Sequence, residues 1–407
     1  MNCRHCNKKL ENEFIDLGSA PPSNNYVTKE KLQFEETAFP LKVMVCDNCW
    51  LVQTEDFSKA DELFTNEYAY FSSTSTSFLE HAKKYVSEII SFLKLKKSSF
   101  VVELASNDGY LLKNFVKLGI PCLGIEPTKS TAEFSRGQGI ETIEEFFGTN
   151  FAKKLSKDKK ADLIIGNNVY AHVPDINDFT GGIKELLSPN GTVTLEFPHI
   201  VELVKNNQFD TIYHEHYSYL SLFSVSRIFN KAGLKIYKVE QLQTHGGSIR
   251  IYGCHIDDNK VIEKSYEEII NKEIELGINS IAFYKNFNTR AEKIKSEFCK
   301  FLTECKEKNQ FVCAYGAAAK GNTLLNYCGI KDDLINYVCD AAEAKQGKFL
   351  PGSKIPIVHP DVLKNEKKID YLIIFPWNIA DEIVTQLDFL KSNGTKFVIA
   401  IPKLTII

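Results

Sequence analysis

Apolar residues recur at two different spacings along this chain, and the alternation between those spacings sets its architecture. Over 77–97, Phe78, Leu79, Ala82, Tyr85, Val86, Ile89, Ile90 and Leu93 fall three and four apart, the period of a helix with one buried face. Phe100-Val-Val-Glu-Leu-Ala is a short continuous apolar run instead, as in a strand covered on both faces. Ser106-Asn-Asp-Gly has the composition of a turn, and Tyr110–Lys117 reads as the helix after it. Cys122-Leu-Gly-Ile-Glu126-Pro127, Ala161–Gly166, Gly191–Phe197, Leu234–Gln241 and Ser248–Cys254 are further strands, the last two separated by a His245-Gly-Gly turn. Strands alternating with helices predict an α/β fold with a doubly wound, mainly parallel sheet, whose ligand lies at the carboxyl ends of its strands.

The pattern changes on either side of this block. Residues 259–308 are charged and helical in spacing. Phe311–Asn322 then opens a second strand–turn–helix, continued by Leu334–Asp340, Ile355–Val358, Tyr371–Phe375 and Phe397–Ile401, which predicts a second, smaller α/β domain. Upstream, Cys3-x-x-Cys6 and Cys46-x-x-Cys49 each bring two thiolates to one turn, and together they complete a closed tetrahedral zinc site. Redox or chance pairs are the alternative. A closed site leaves no open position, so the metal is expected to serve structure; His5 and Asp47 are read as bystanders. The intervening segment forms a loop or small sheet. A chain of 407 residues suits two or three domains. The expected boundaries are 1–68 for a zinc-binding domain, 69–257 for the central domain and 258–407 for the last.

Composition adds mainly exclusions. A net charge of -3 gives no electrostatic footing for nucleic acid or an anionic membrane. No apolar run approaches the ~18 residues that span a bilayer. Met1-Asn2-Cys3-Arg4-His5-Cys6 is not followed by the apolar core of a signal peptide, so a cytoplasmic location is expected. Eleven cysteines, an odd number, then favour metal binding and buried thiols over disulfides. Nothing in the sequence points to an oligomeric state.

Two stretches carry candidate chemistry. The turn at 103–109 follows a strand where a dinucleotide site would have G-x-G-x-x-G, yet it holds Ala105, Ser106, Asn107 and Asp108, with only Gly109. That argues against NAD. Acidic and amide side chains suit a cationic ligand with an amino-acid end, such as S-adenosylmethionine (SAM), with Asn107 or Asp108 near that end and Glu126 facing the ribose hydroxyls. Another nucleotide, or a turn without ligand, are the alternatives. The second stretch is Tyr213-His214-Glu215-His216-Tyr217. Beside a SAM site it offers a base, which suggests methyl transfer to carbon, since a carbon nucleophile must first lose a proton. A solvated helix start with a structural histidine is the plainer reading.

Taken in order, several motifs resemble one family. They are the two Cys-x-x-Cys pairs, Tyr70-Phe71-Ser72-Ser73, Glu103-Leu-Ala-Ser-Asn-Asp-Gly-Tyr-Leu-Leu112, Asn168-Val-Tyr-Ala-His-Val-Pro174 and Tyr213-His-Glu-His216. His245-Gly-Gly-Ser-Ile-Arg250, Tyr315-Gly-Ala-Ala-Ala-Lys-Gly321 and Lys345-Gln-Gly-Lys-Phe-Leu-Pro-Gly352 follow. Over nearly its whole length the chain resembles the three-domain, SAM-dependent nucleotide-sugar C-methyltransferases, which place a methyl branch at C-3 of deoxysugars. The resemblance implies a zinc domain, a central class I SAM-methyltransferase domain with a Rossmann-like sheet, and a C-terminal Rossmann-like domain. It implies that His216 is the base for a 4-keto sugar, with Tyr213 and Glu215 as companions and His172 and Tyr70 facing the pocket. It implies cofactor contacts from Ser72, Glu103, Ala105, Asn107, Asp108, Glu126, Pro127, Asn167 and Asn168, and substrate contacts from His245 and Arg250. His214 is the rival base.

The last domain is the expected holder of the nucleotide. Gly316…Lys320-Gly321 opens a helix whose N-terminus attracts phosphate, with Lys320 as a point charge and Asn322 as a donor. Lys345 and Lys348 flank Gly347 and could embrace the diphosphate; ordinary surface lysines are the alternative. O- or N-methylation of a similar sugar, and a zinc-ribbon RNA-binding methyltransferase, remain competing functions. The near-neutral charge speaks against the RNA reading.

Overall fold

The computed structural model describes residues 1–55, 71–74, 76–366 and 368–407. Three sheets organise them. The central sheet has seven strands, in the order Thr142–Ile143, Cys122–Ile125, Val101–Leu104, Ala161–Asn167, Leu187–Pro198, Ser248–His255, Leu234–Leu242. The first five are mutually parallel, and Ser248–His255 runs antiparallel to both its neighbours. Val101, Val102 and Leu104 are fully buried, as a strand covered on both faces requires. The helix Thr76–Leu93 covers one face through Ala82, Tyr85, Val86 and Ile89. On the other face, Ile176–Leu186 and Leu222–Ala232 cover the sheet. Asp175 caps the first by accepting the Asp178 N–H at 2.9 Å, and a Ser221/Ser224 capping box starts the second.

The last sheet has six strands, ordered Ile357–Val358, Val338–Cys339, Val312–Tyr315, Tyr371–Ile374, Lys396–Ile399, Thr405–Ile406; all but the last pair are parallel. The charged segment before it forms the helices Lys264–Glu275, Ile281–Tyr284 and Phe287–Glu307.

The N-terminal region is more than a metal knuckle. Asn12–Ala20, Phe39–Val45 and Val52–Thr54 form an antiparallel sheet, and its fourth strand, Ser218–Tyr219, comes from just beyond the Tyr213–Tyr217 stretch. This unit is wedged between the other two. Phe14, Ile15, Leu17 and Val43 share a core with Phe287, Phe298 and Leu302. Leu10, Met44, Leu51 and the cysteines share one with Leu222, Val225 and Phe229. Among the described residues no helix is long and apolar enough to cross a membrane.

Candidate active site

The turn after Val101–Leu104 is held in an uncommon backbone shape. Ala105, Asn107 and Gly109 all have positive φ, at 54°, 50° and 77°. For a residue with a Cβ this costs on the order of 1–2 kcal/mol, and such strain concentrates where a backbone must meet a ligand. At Gly109 a Cβ would press on the side chains of Ile140 and Ser135, which would have to shift to admit it. Glu126 braces the turn: one carboxylate oxygen accepts the Asn107 N–H at 2.9 Å and the other the Thr128 N–H at 2.9 Å. Pro127, between those contacts, is half-buried. The Asn107 amide oxygen accepts the Ser72 N–H at 2.9 Å and the Asp108 carboxylate accepts the Ser73 N–H at 3.0 Å. The sequence directs these two side chains toward a ligand; the structure uses them to fasten residues 72–73 over the turn. Several buried atoms have no hydrogen-bond partner among the described residues: Glu103 Oε2, Ser106 Oγ, Asn167 Oδ1 and both amide atoms of Asn168. Asn168 has a φ of 55°. Burial, with Asp108 and Glu126 nearby, pushes the Glu103 carboxyl well above its ordinary range.

His216 is held beside the turn that follows the central strand Ala161–Asn167. The Tyr213–Tyr217 stretch is a turn, closed by the His216 N–H donating to the Tyr213 carbonyl at 2.9 Å. It is pinned to the 3-10 turn Tyr170–His172, because Tyr217 N–H donates to the Ala171 carbonyl at 2.8 Å. The His172 ring meets that of His216 edge-on at 4.6 Å between centroids, and the Tyr213 ring lies over His216, tilted by 33°, at 3.9 Å. His216 Nδ1 lies 2.8 Å from the Thr211 carbonyl. A carbonyl only accepts, so Nδ1 carries the proton and Nε2 of the neutral ring keeps its lone pair. Burial, helped by the neighbouring His172, holds this imidazole well below the usual 6.5.

His214, two residues earlier, faces the other way. Its Nε2 donates to the Phe39 carbonyl at 3.1 Å in the N-terminal sheet. Glu215 is buried, and its Oε1 accepts the Asn24 amide at 2.7 Å. Tyr70 falls outside the described residues.

His245 joins the same neighbourhood from the Thr244–Gly246 turn, with a φ of 53° and a buried Nε2 that has no partner among the described residues. Burial first, and then the charge of Lys320, lowers it to about 4; burial likewise lowers His172 to about 4. The charge of Lys320, on the helix Ala319–Cys328, is thus felt at His245. The Lys320 Nζ lies 4.3 Å over the Trp377 ring and donates to Asn378 at 2.8 Å. Trp377 in turn donates to Asp210 at 2.7 Å and presses against Gly246, where a Cβ would collide with the indole. Burial pushes Asp210 up to about 6 and Lys320 down to about 8, each opposed by the other's charge.

Other expected substrate contacts are committed elsewhere. Arg250 is 2% exposed and paired to Glu196 at 2.7 Å and Glu240 at 3.2 Å, so its guanidinium braces the sheet behind the site. Although burial pushes Glu196 the other way, His81 and Arg250 hold it down to about 2. Asn322 spends its amide donor on the Ser23 carbonyl at 2.6 Å, tying the N-terminal region to the helix Ala319–Cys328. Lys345 pairs with Asp340 at 3.3 Å and donates to the Ala317 carbonyl at 3.0 Å, which braces the turn ahead of that helix. Lys348 is half-buried beside it. The sequence gives no sign of Asn24, Asp210 and Trp377. Their partners are distant in the chain, and no spacing rule connects them.

At the N-terminus the four cysteine sulfurs lie within 4.8 Å of one another, with Cys3–Cys49 at 3.4 Å and Cys6–Cys46 at 3.5 Å. A zinc with four thiolates at ~2.3 Å has sulfur–sulfur edges of about 3.8 Å, so the set fits one zinc. His5 is turned from the thiols to Asn177 at 2.8 Å, and Asp47 pairs with Lys8 at 2.8 Å.

Over 402 residues the chain is 33% identical to the C-methyltransferase NovU of Streptomyces niveus, an alignment spanning 98% of this chain and 95% of that protein. The chain belongs to this C-methyltransferase family. Three domain models match in order: a zinc-binding domain over 3–64, a methyltransferase domain over 78–239 and the C-methyltransferase C-terminal domain over 243–402. A SAM-dependent methyltransferase of Clostridium acetobutylicum ATCC 824 is similar at 12% identity and a TM-score of 0.36, over 44% of this chain and 92% of that one. The PH0226 protein of Pyrococcus horikoshii OT3 is similar at 15% and 0.38, over 49% and 99%. As a family member, this C-methyltransferase is a SAM-dependent enzyme with a zinc-binding N-terminal domain and a class I methyltransferase centre.

Proposed function

We propose that this C-methyltransferase adds a methyl group to C-3 of a nucleotide-linked 4-keto-deoxysugar, with His216 as the base. The observation that carries the reading is the His216 Nδ1–Thr211 carbonyl bond of 2.8 Å, which leaves Nε2 as a lone pair in a buried, neutral ring. A proton next to a ketone is within reach of such a base, because the electron pair it leaves behind spreads onto the ketone oxygen. Nε2 takes the C-3 proton, and the resulting enolate carries its charge at O-4. The Thr211 carbonyl then faces an imidazolium N–H and holds the protonated ring until it returns the proton to solvent. The Tyr213 hydroxyl is the candidate partner for the enolate oxygen.

The turn at 103–109 is the proposed SAM site. The buried atoms of Glu103, Ser106, Asn167 and Asn168 that have no partner among the described residues suit a ligand with an ammonium, an adenine amine and ribose hydroxyls. Ser72, Ala105, Asn107 and Asp108 shape the turn, and Glu126 with Pro127 lies at the end of the next strand, where ribose hydroxyls would meet the carboxylate. SAM, when bound, supplies the electrophilic methyl group. For the nucleotide, the N-terminus of Ala319–Cys328 with Lys320, and Lys348 nearby, is the proposed diphosphate holder, while Lys345 braces the Ala317 carbonyl ahead of that helix. The test is turnover with SAM and dTDP-, GDP- and CDP-linked 4-keto-deoxysugars, with NMR of the product. A new methyl on C-3 is expected. A methyl on oxygen or nitrogen, or no turnover on any of the three, contradicts the proposal.

A further inference from the structure

The chain that leaves the second cysteine pair becomes the strand Val52–Thr54, and this strand pairs with Ser218–Tyr219, which begins two residues beyond His216. Thr54 N–H donates to the Tyr217 carbonyl at 3.1 Å, and its hydroxyl donates to the His216 carbonyl at 3.3 Å. Two side chains fasten the same strand to the metal knuckle. Gln53, with no exposed surface, donates from Nε2 to Cys3 Sγ at 3.2 Å and accepts the Arg4 N–H at 2.8 Å. Arg4, lying between Cys3 and Cys6, donates to the Thr54 carbonyl at 2.9 Å and to the Pro174 carbonyl at 2.8 Å. Its guanidinium sits 5.3 Å from the centre of the Tyr217 ring. Pro174 is two residues past His172. The knuckle therefore grips both segments whose histidine rings meet at 4.6 Å.

We propose that the zinc knuckle positions the catalytic base, with Arg4 and Gln53 as positioning residues that set His216 in register against His172. The inference rests on His216 being the base. A side-chain donor to a ligating sulfur fixes that ligand's orientation, and here the same side chain belongs to the strand that carries the base loop. Metal binding thus sets the rate of proton abstraction as well as the fold of the first domain.

The experiment uses the full-length, zinc-loaded protein with Arg4→Met, which keeps the apolar stem and removes both carbonyl bonds. Gln53→Glu, which removes the donor to Cys3, is the second variant should the first fail to fold. Zinc content by elemental analysis and SAM affinity by calorimetry should stay at wild-type values, while the rate of C-3 proton exchange falls by about 100-fold, the scale of an ångström of misplacement. Amide hydrogen exchange supplies a readout independent of substrate. Removing zinc from the wild type should speed exchange at Tyr217 and Thr54 while Val101–Leu104 stays protected. An Arg4→Met protein that exchanges the substrate proton at the wild-type rate overturns the inference. So does one that loses zinc, SAM and rate in parallel, the mark of a purely structural role. A wild type that exchanges no C-3 proton contradicts the assignment of the base instead, and the amide-exchange arm still decides whether the knuckle holds the loop.

Discussion

His214 and His216 are two residues apart and have opposite surroundings. His214 gives its Nε2 proton to Phe39, 175 residues earlier in the chain, whereas His216 gives its Nδ1 proton to Thr211 and has its ring edge-on to that of His172. His214→Asn should therefore leave methylation within about tenfold of wild type, far short of the ~10²–10⁴ expected for loss of a base; steady-state rates check this. The pH dependence follows from burial. A base must be neutral, and His216 is held well below the ordinary 6.5. Its neutral form persists as pH falls through 6.5, so the acidic limb of kcat should lie below that pH; a limb centred at 6.5 would mean a solvated base. The sequence offered a His/Glu/Tyr cluster without deciding between the two imidazoles. Which ring joins His172 was illegible because each orientation is set by a backbone carbonyl that no local pattern announces.

At the level of elements, the central strands were readable because each is a continuous apolar run between turns. Val101–Leu104, Ala161–Asn167 and Ser248–His255 lie where that pattern put them, within a residue or two. The four-stranded N-terminal sheet was not readable beyond a loop or small sheet. Val52–Thr54 and Ser218–Tyr219 are too short to show a period, and their partners lie far off in sequence. The contacts of Arg250 and Asn322 were hidden for a related reason. A buried Glu196 and the Ser23 carbonyl claim their donors, and neither partner is near in the chain. Lys320 stands differently, at the start of Ala319–Cys328 with its charge felt by His216 and His245. Lys320→Ala should raise the KM for the sugar nucleotide about tenfold or more, the loss of one charge-assisted bond, with SAM affinity nearly unchanged. Equal losses of both affinities, read by calorimetry, would contradict a separate substrate holder.

For the whole molecule, the N-terminal unit is shared property. Its sheet packs on the helix Phe287–Glu307 and its cysteines pack on Leu222–Ala232, so neither neighbour has a complete core without it. Removing zinc should therefore lower the melting transition of the entire chain and abolish methylation. Calorimetry checks this: a separate low-temperature peak, with the main transition unmoved, would mean that the first domain folds apart from the rest.

The central claim is that Nε2 of His216 removes the C-3 proton, and deuterium exchange tests it most directly. The nucleotide-linked 4-keto-deoxysugar is incubated in D₂O with wild type or His216→Asn, with the demethylated product of SAM in the cofactor site, and C-3 deuteration is followed by NMR. Wild type should exchange the proton, and His216→Asn, still binding both ligands, should be slower by roughly 10²–10⁴-fold. Exchange by His216→Asn at the wild-type rate would contradict the account.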